Sequence, residues 1–171
     1  MELIDYTNKW LTGEIYEDLA ILATGVFLIV LAAAAWRFGS SVSARAIIVP
    51  LLVAAVLFVG LGAGLAFNNS NRRVQFEQEY KESPQKFLIS EKARVEAFMK
   101  IYPQTIIYSA VMMLIGICVF AICVKPWLRA SALVLILVAL AALTIDFFSK
   151  ERGVIYQQEL NSIQSEFNEV K

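Results

Sequence analysis

The sequence predicts an all-α membrane protein, with four transmembrane helices arranged as two hairpins and a juxtamembrane helical head. Three observations predict it. The 171 residues are 58% apolar and only 18% charged, against about 45–50% and about 25% in soluble domains. The apolar residues gather into four long blocks instead of being spread at helix or strand spacing. The polar segments outside those blocks carry apolar stripes at helical steps.

Residues 1–67 form an N-terminal tail and a first hairpin. The tail before Leu19 carries five acids and one lysine, which is not the basic start of a secretory signal, so Leu19–Trp36 is expected to be retained as a span. Neither Leu19–Trp36 nor Ala46–Phe67 contains an ionisable residue. Each suits a hydrocarbon core of roughly 30 Å, which about 20 helical residues cross. The connection Arg37–Arg45 is short enough to make them antiparallel neighbours. Within the second span, Gly60 and Gly64 have small-xxx-small spacing, with Gly62 between them. Small residues let helix backbones approach where lipid supplies no hydrophobic drive, so Gly60 and Gly64 are the expected helix-packing positions.

Residues 68–104 form a polar helical loop. Phe76, Tyr80 and Phe87 continue an apolar stripe out of the second span, with a break at Ser83-Pro84, where serine caps and proline suits a first turn. Ser90 is expected to cap a further helix, Glu91–Ile101, with Val95, Phe98 and Met99 apolar and Pro103 ending it. Residues 105–148 hold the second hairpin, Thr105–Val124 and Ser131–Ile145 joined by Lys125–Ala130. Residues 149–171 read as an amphipathic helix, with Tyr156, Leu160, Ile163, Phe167 and Val170 on one face. Spans two and four should therefore leave the membrane as long helices that pack with the loop helix.

The polar parts repeat at an offset of 80 residues: Phe67 with Phe147, Arg72 with Arg152, Val74 with Val154, Phe76 with Tyr156, Gln78 with Gln158, Glu79 with Glu159 and Phe87 with Phe167. A duplicated hairpin-plus-tail unit would relate the halves by an axis along the membrane normal. Orientation is a contest between two counts. The head side holds 11 Lys/Arg and the hairpin tips four, but all 15 acids lie on the head side. The first span has Arg37 and Arg45 behind it and only Lys9 before it, which favours termini and long loop in the periplasm.

The chemistry left to such a chain is narrow. Lys plus Arg equals Asp plus Glu, which argues against nucleic acid. There is no histidine, which removes bis-imidazole haem, most zinc sites and histidine acid–base catalysis. Cys118 and Cys123 lie in an apolar span and read as packing residues. A carboxylate enzyme using Glu77, Glu79, Glu82 and Glu159 competes with a simpler solvated helix face. Asp146 is the first ionisable residue met in span four and is expected at the interface, paired with Lys150 or Arg152. Thr24, Tyr108, Ser109 and Thr144 would line a channel only sparsely. No catalytic, cofactor-binding or metal-binding residue is nominated, and no cofactor is expected.

What remains is binding. Phe76, Tyr80, Phe87, Phe98, Tyr102, Tyr156 and Phe167, with Arg94, are the candidate partner-binding residues of the head, since aromatic and arginine anchors dominate interface energy. The segment Glu77–Thr105, with Tyr80, Pro84, Phe87, Glu91, Arg94, Val95, Phe98, Tyr102 and Pro103, resembles a loop of small bacterial four-span membrane proteins without an established activity. In type, though not by aligned residues, the chain looks like inner-membrane immunity proteins against membrane-damaging secreted toxins. That likeness implies a non-enzymatic binding protein of the bacterial inner membrane, with membrane lipids and a cognate toxin as partners and a homo-oligomer left open. A transporter or channel subunit, or an accessory subunit of an envelope complex, is the alternative.

Overall fold

The computed structural model describes residues 3–169, and side chains as far as residue 165. The chain is all-helical among the described residues: α1 (Leu3–Phe38), α2 (Val42–Ala46), α3 (Ile48–Glu82), α4 (Pro84–Met99), α5 (Tyr102–Ile122) and α6 (Pro126–Glu169). Four segments are long and apolar enough to cross a membrane. α1, α3 and α6 have 36, 35 and 44 residues. At 1.5 Å per residue each far exceeds the roughly 30 Å of a hydrocarbon core, so all three continue well outside it.

Exposed aromatics mark both edges of that core. Trp36, Phe38 and Trp127 stand at the hairpin tips, and Tyr16, Phe67, Tyr108, Phe147 and Phe148 at the head end. Tyr16 to Trp36, and Trp127 to Phe147, are each about twenty residues apart, the length that amphipathic rings at two bilayer interfaces would set. Between the belts Phe27, Val30, Val56, Leu61, Leu114 and Leu140 face outward, as lipid contact requires. Cys118 is among the exposed residues and Cys123 is half-buried at the end of α5. Cys118 therefore does not pack against another helix as expected, because α5 touches little but α6 and presents most of its circumference to lipid.

The hairpins are as predicted: α1 packs along α3 and α5 along α6, with α6 also lying against α1 and α3. The intramembrane core joins Leu28 and Ala32 of α1, Leu51, Ala54, Ala55 and Phe58 of α3, and Val134 of α6. Close approach within the first hairpin is reciprocal. A Cβ on Gly62 would stand 2.5 Å from the Leu22 nitrogen and 2.7 Å from the Asp18 carbonyl oxygen, and one on Gly25 would stand 2.7 Å from the Val59 nitrogen. Gly60 and Gly64 are exposed, with nothing within 4 Å of an added Cβ. Within the chain they therefore make no helix contact, and the expectation is corrected for its own bundle: at 3.6 residues per turn the face toward α1 carries Gly62, and the flanking pair points away.

Outside the membrane, α1, α3, α4 and α6 share a second core of Leu3, Trp10, Leu11, Phe76, Phe87, Leu88, Val95, Tyr156 and Leu160. The N-terminal tail is thus no tail; it is the first half of α1 and a full wall of the head. Ser83 caps α4 as predicted, its Oγ accepting from Lys86 N at 3.4 Å with Pro84 in the first turn. The predicted second helix start at Ser90 does not occur. Ser90 Oγ donates to Phe87 O at 2.9 Å inside a continuous helix, because Ser90 follows residues already in helical register. Pro103 does not end α4 either; it occupies the first turn of α5, where its missing N–H costs nothing.

Candidate functional site

Two polar layers lie inside the head, one at its centre and one where it meets the spans. At the centre, Glu91 of α4 is 2% exposed and yet carries a carboxylate. An ion so deeply buried must be paired and hydrogen-bonded. Arg94, one turn on, donates Nε to Glu91 Oε2 at 2.8 Å and its second nitrogen to Oε1. The Tyr156 hydroxyl of α6 donates to Glu91 Oε1 at 2.8 Å and contacts Thr7 Oγ1 of α1 at 2.8 Å. The Arg94 guanidinium lies 4.7 Å from the Trp10 ring centroid and 5.2 Å from that of Phe76. Trp10 stacks on Tyr156 with centroids 5.1 Å apart. Burial alone would lower the Arg94 pKa, but its bonds to Glu91 outweigh that and hold it above the ordinary arginine value. Burial, and then the Glu91 charge, push the Tyr156 phenol upward, so it stays a neutral donor.

The lower layer sits at the level of the head-end aromatic belt. Arg152 of α6 pairs with Glu17 and, at 3.5 Å, with Glu14 of α1. Asn69 of α3 donates to Asp18 Oδ2 at 2.8 Å, and Arg72 donates to Asn69 Oδ1 at 3.5 Å. Arg73 ties the outer side by donating to Thr12 Oγ1 at 2.9 Å. Tyr102 and Ser149, both buried, share a hydroxyl–hydroxyl bond of 2.8 Å. Burial drives the Glu14 and Asp18 carboxyls above their ordinary values despite the nearby Arg152 and Asn69, and raises the Tyr102 phenol to about 12. A cavity of about 390 Å³ opens among these groups, bounded by α1, α3, α4, α5 and α6.

These placements redistribute the predicted residues. Phe76, Phe87, Tyr102 and Tyr156 are buried, with Tyr80 and Phe98 half-buried, so most of the expected docking aromatics form the head's own core. Arg94 is engaged by Glu91 and two rings rather than presented outward. Phe167 lies outside the described side chains. Asp146 is not partnered by Lys150 or Arg152. Arg152 turns instead to Glu17 and Glu14, and Asp146 forms no ion pair among the described residues. Glu77, Glu79 and Glu82 stand exposed on α3.

Thr7, Trp10, Glu14, Asp18 and Asn69 of these layers do not stand out in the sequence. The signal was present on α1: Leu3, Thr7, Trp10, Glu14, Asp18, Gly25, Leu28 and Ala32 are all buried, at steps of three, four and seven along one seam. An apolarity scan loses that seam because three of its head-side members are polar. No protein family, characterised protein or solved structure gives a match to this chain.

Proposed function

We propose that the protein is a non-enzymatic binding protein of the bacterial inner membrane, acting as an immunity protein that neutralises a membrane-targeted, pore-forming toxin of an interbacterial secretion system. One observation carries the reading. The buried polar groups at the centre of the head are bonded to one another, Thr7 to Tyr156, Tyr156 to Glu91, and Glu91 to Arg94. That construction stiffens a support and aims no activated nucleophile at a substrate. Rigid presentation of a surface is what a contact-acting protein needs.

With the head aromatics turned inward, the contact surface moves to the spans. A groove of about 580 Å³ runs between α1 and α6, with Ala20, Thr24 and Ala141 small on its walls and Leu137, Leu140 and Phe148 apolar. Small residues at lipid depth accommodate a close helix from a partner, here a toxin helix caught before a pore assembles. The head and both termini face the periplasm in this reading.

Co-expression with the cognate toxin should protect cells, and Ala141→Trp, which fills the groove, should abolish protection at unchanged expression. Full lethality beside normal expression of the unmodified chain rejects the proposal. Ion flux by the purified protein in liposomes would favour the transporter reading, and a constant stoichiometric partner in detergent would favour an accessory subunit.

A further inference from the structure

The cavity at the junction of head and spans has an unbalanced charge. Glu14, Glu17, Asp18 and Asp146 line it, against Arg72 and Arg94. Arg94 is forked on Glu91, and Arg152, just outside, pairs with both Glu17 and Glu14. That leaves Asp18 and Asp146 facing Arg72, with Glu14 sharing Arg152 with Glu17. One buried donor of its wall, Trp10 Nε1 on a residue 7% exposed, has no hydrogen-bond partner among the described residues, and Glu14 Oε1 is held only by the 3.5 Å ion pair with Arg152. Buried polar atoms in folded proteins are nearly always satisfied, so an unsatisfied donor in a cavity with surplus carboxylates points to a ligand that joins them.

We propose that this cavity binds the head group of a zwitterionic membrane lipid bearing a primary ammonium, of the phosphatidylethanolamine class. Asp18 and Asp146, with Glu14 beside them on the wall, would receive the ammonium, and Arg72 and the Trp10 N–H would hold the phosphate. The position of the cavity selects a lipid over a soluble amine. Its exposed lining residues Leu65, Asn68 and Ile101 form a mouth beside Phe67, at the level of the head-end belt, and Ile21 and Ile145 line its membrane side. Its volume of about 390 Å³ falls in the range of small-ligand sites, about 300–1,000 Å³. The wall also selects N–H over N-methyl. Quaternary ammonium sites use free aromatic faces, whereas the Trp10 ring is already engaged by Tyr156 and Arg94 and offers its edge N–H.

The test is lipid retention by the full chain. Protein purified in detergent is incubated with equimolar phosphatidylethanolamine and phosphatidylcholine, and the bound lipid is counted by native mass spectrometry. Phosphatidylethanolamine should be retained about tenfold over phosphatidylcholine, the size expected of a charge-assisted hydrogen bond. Asp146→Asn and Glu14→Gln should each erase most of that preference at unchanged helix content, and Glu79→Gln on the exposed face should keep it. Asp146 has no ion pair to lose, so its variant remains informative if Glu14→Gln folds poorly. Equal retention of the two lipids, or a preference that survives Asp146→Asn, overturns the proposal. Competition by free phosphoethanolamine without retention of the lipid would also overturn it, by making the ligand a soluble amine. The outcome does not depend on whether the chain confers immunity.

Discussion

Tyr156 joins three helices through one hydroxyl, donating to Glu91 on α4 and meeting Thr7 on α1 from its own place on α6. Tyr156→Phe leaves a buried carboxylate short of a donor, and we expect a loss of about 1–3 kcal/mol in denaturant unfolding in detergent. Thr7→Val should cost less, because the tyrosine bond to Glu91 survives. The phenols also set an alkaline limit. Tyr102 and Tyr156 have folded pKa values above the ordinary 10, with Tyr102 at about 12. Their contribution is therefore intact below about pH 10 and lost as pH rises through the folded values. Circular dichroism and tyrosinate absorbance should show the head opening above pH 10, and Tyr102→Phe should remove part of that dependence. Glu14 and Asp18 behave in the opposite way to ordinary paired acids. With folded pKa values raised by burial, their contribution is present below about pH 4 and lost as pH rises through the folded values. The Glu14→Gln, Asp18→Asn double variant should flatten this part of the pH–stability curve.

Helix contacts in the spans depend on which side of a glycine faces the neighbour. Gly62→Ala puts a methyl against the backbone of Leu22 and Asp18, where no side chain can yield. Overpacking of this kind costs about 1–3 kcal/mol or more. Gly64→Ala meets open space and should be neutral or slightly stabilising, since alanine is the better helix former. Thermal unfolding of the two variants in detergent separates them, and equal stability would remove Gly62 from the α1–α3 contact. The cap of α4 makes a smaller test: Ser83→Ala should cost about 1 kcal/mol by removing the acceptor for Lys86 N.

At the scale of the whole molecule, the two hairpins use related devices. Gly25 of α1 seats α3 and Gly116 of α5 seats α6, with Ala132 O 3.1 Å from an added Cβ. Arg72 and Arg152, paired by the 80-residue offset, both serve acids of α1: Arg72 through Asn69 beside Asp18, and Arg152 through Glu14 and Glu17. The halves differ in what the first helix does beyond the membrane. α1 extends into the head, whereas α5 begins at the interface with Tyr102. On the proposed orientation, with the head in the periplasm, Cys123 beside the α5–α6 tip should resist an impermeant maleimide in intact cells and react once the membrane is permeabilised. Labelling in intact cells would invert the topology.

The spans, their pairing into hairpins, the break and cap at Ser83-Pro84 and the outward run of spans two and four are all legible in the residues. Each follows from local chemistry: unbroken apolar length, connection length, and a serine–proline pair at a helix start. Folding alone shows that the acidic N-terminus is a wall of the head, that Gly62 rather than Gly60 or Gly64 meets α1, and that Phe76, Phe87, Tyr102 and Tyr156 are core. It also decided that Glu14, Asp18 and Asp146 share one cavity. Helical periodicity states which residues share a face, but not which face another helix will cover. A buried acid or arginine reads as solvated surface until the chain brings its partner alongside.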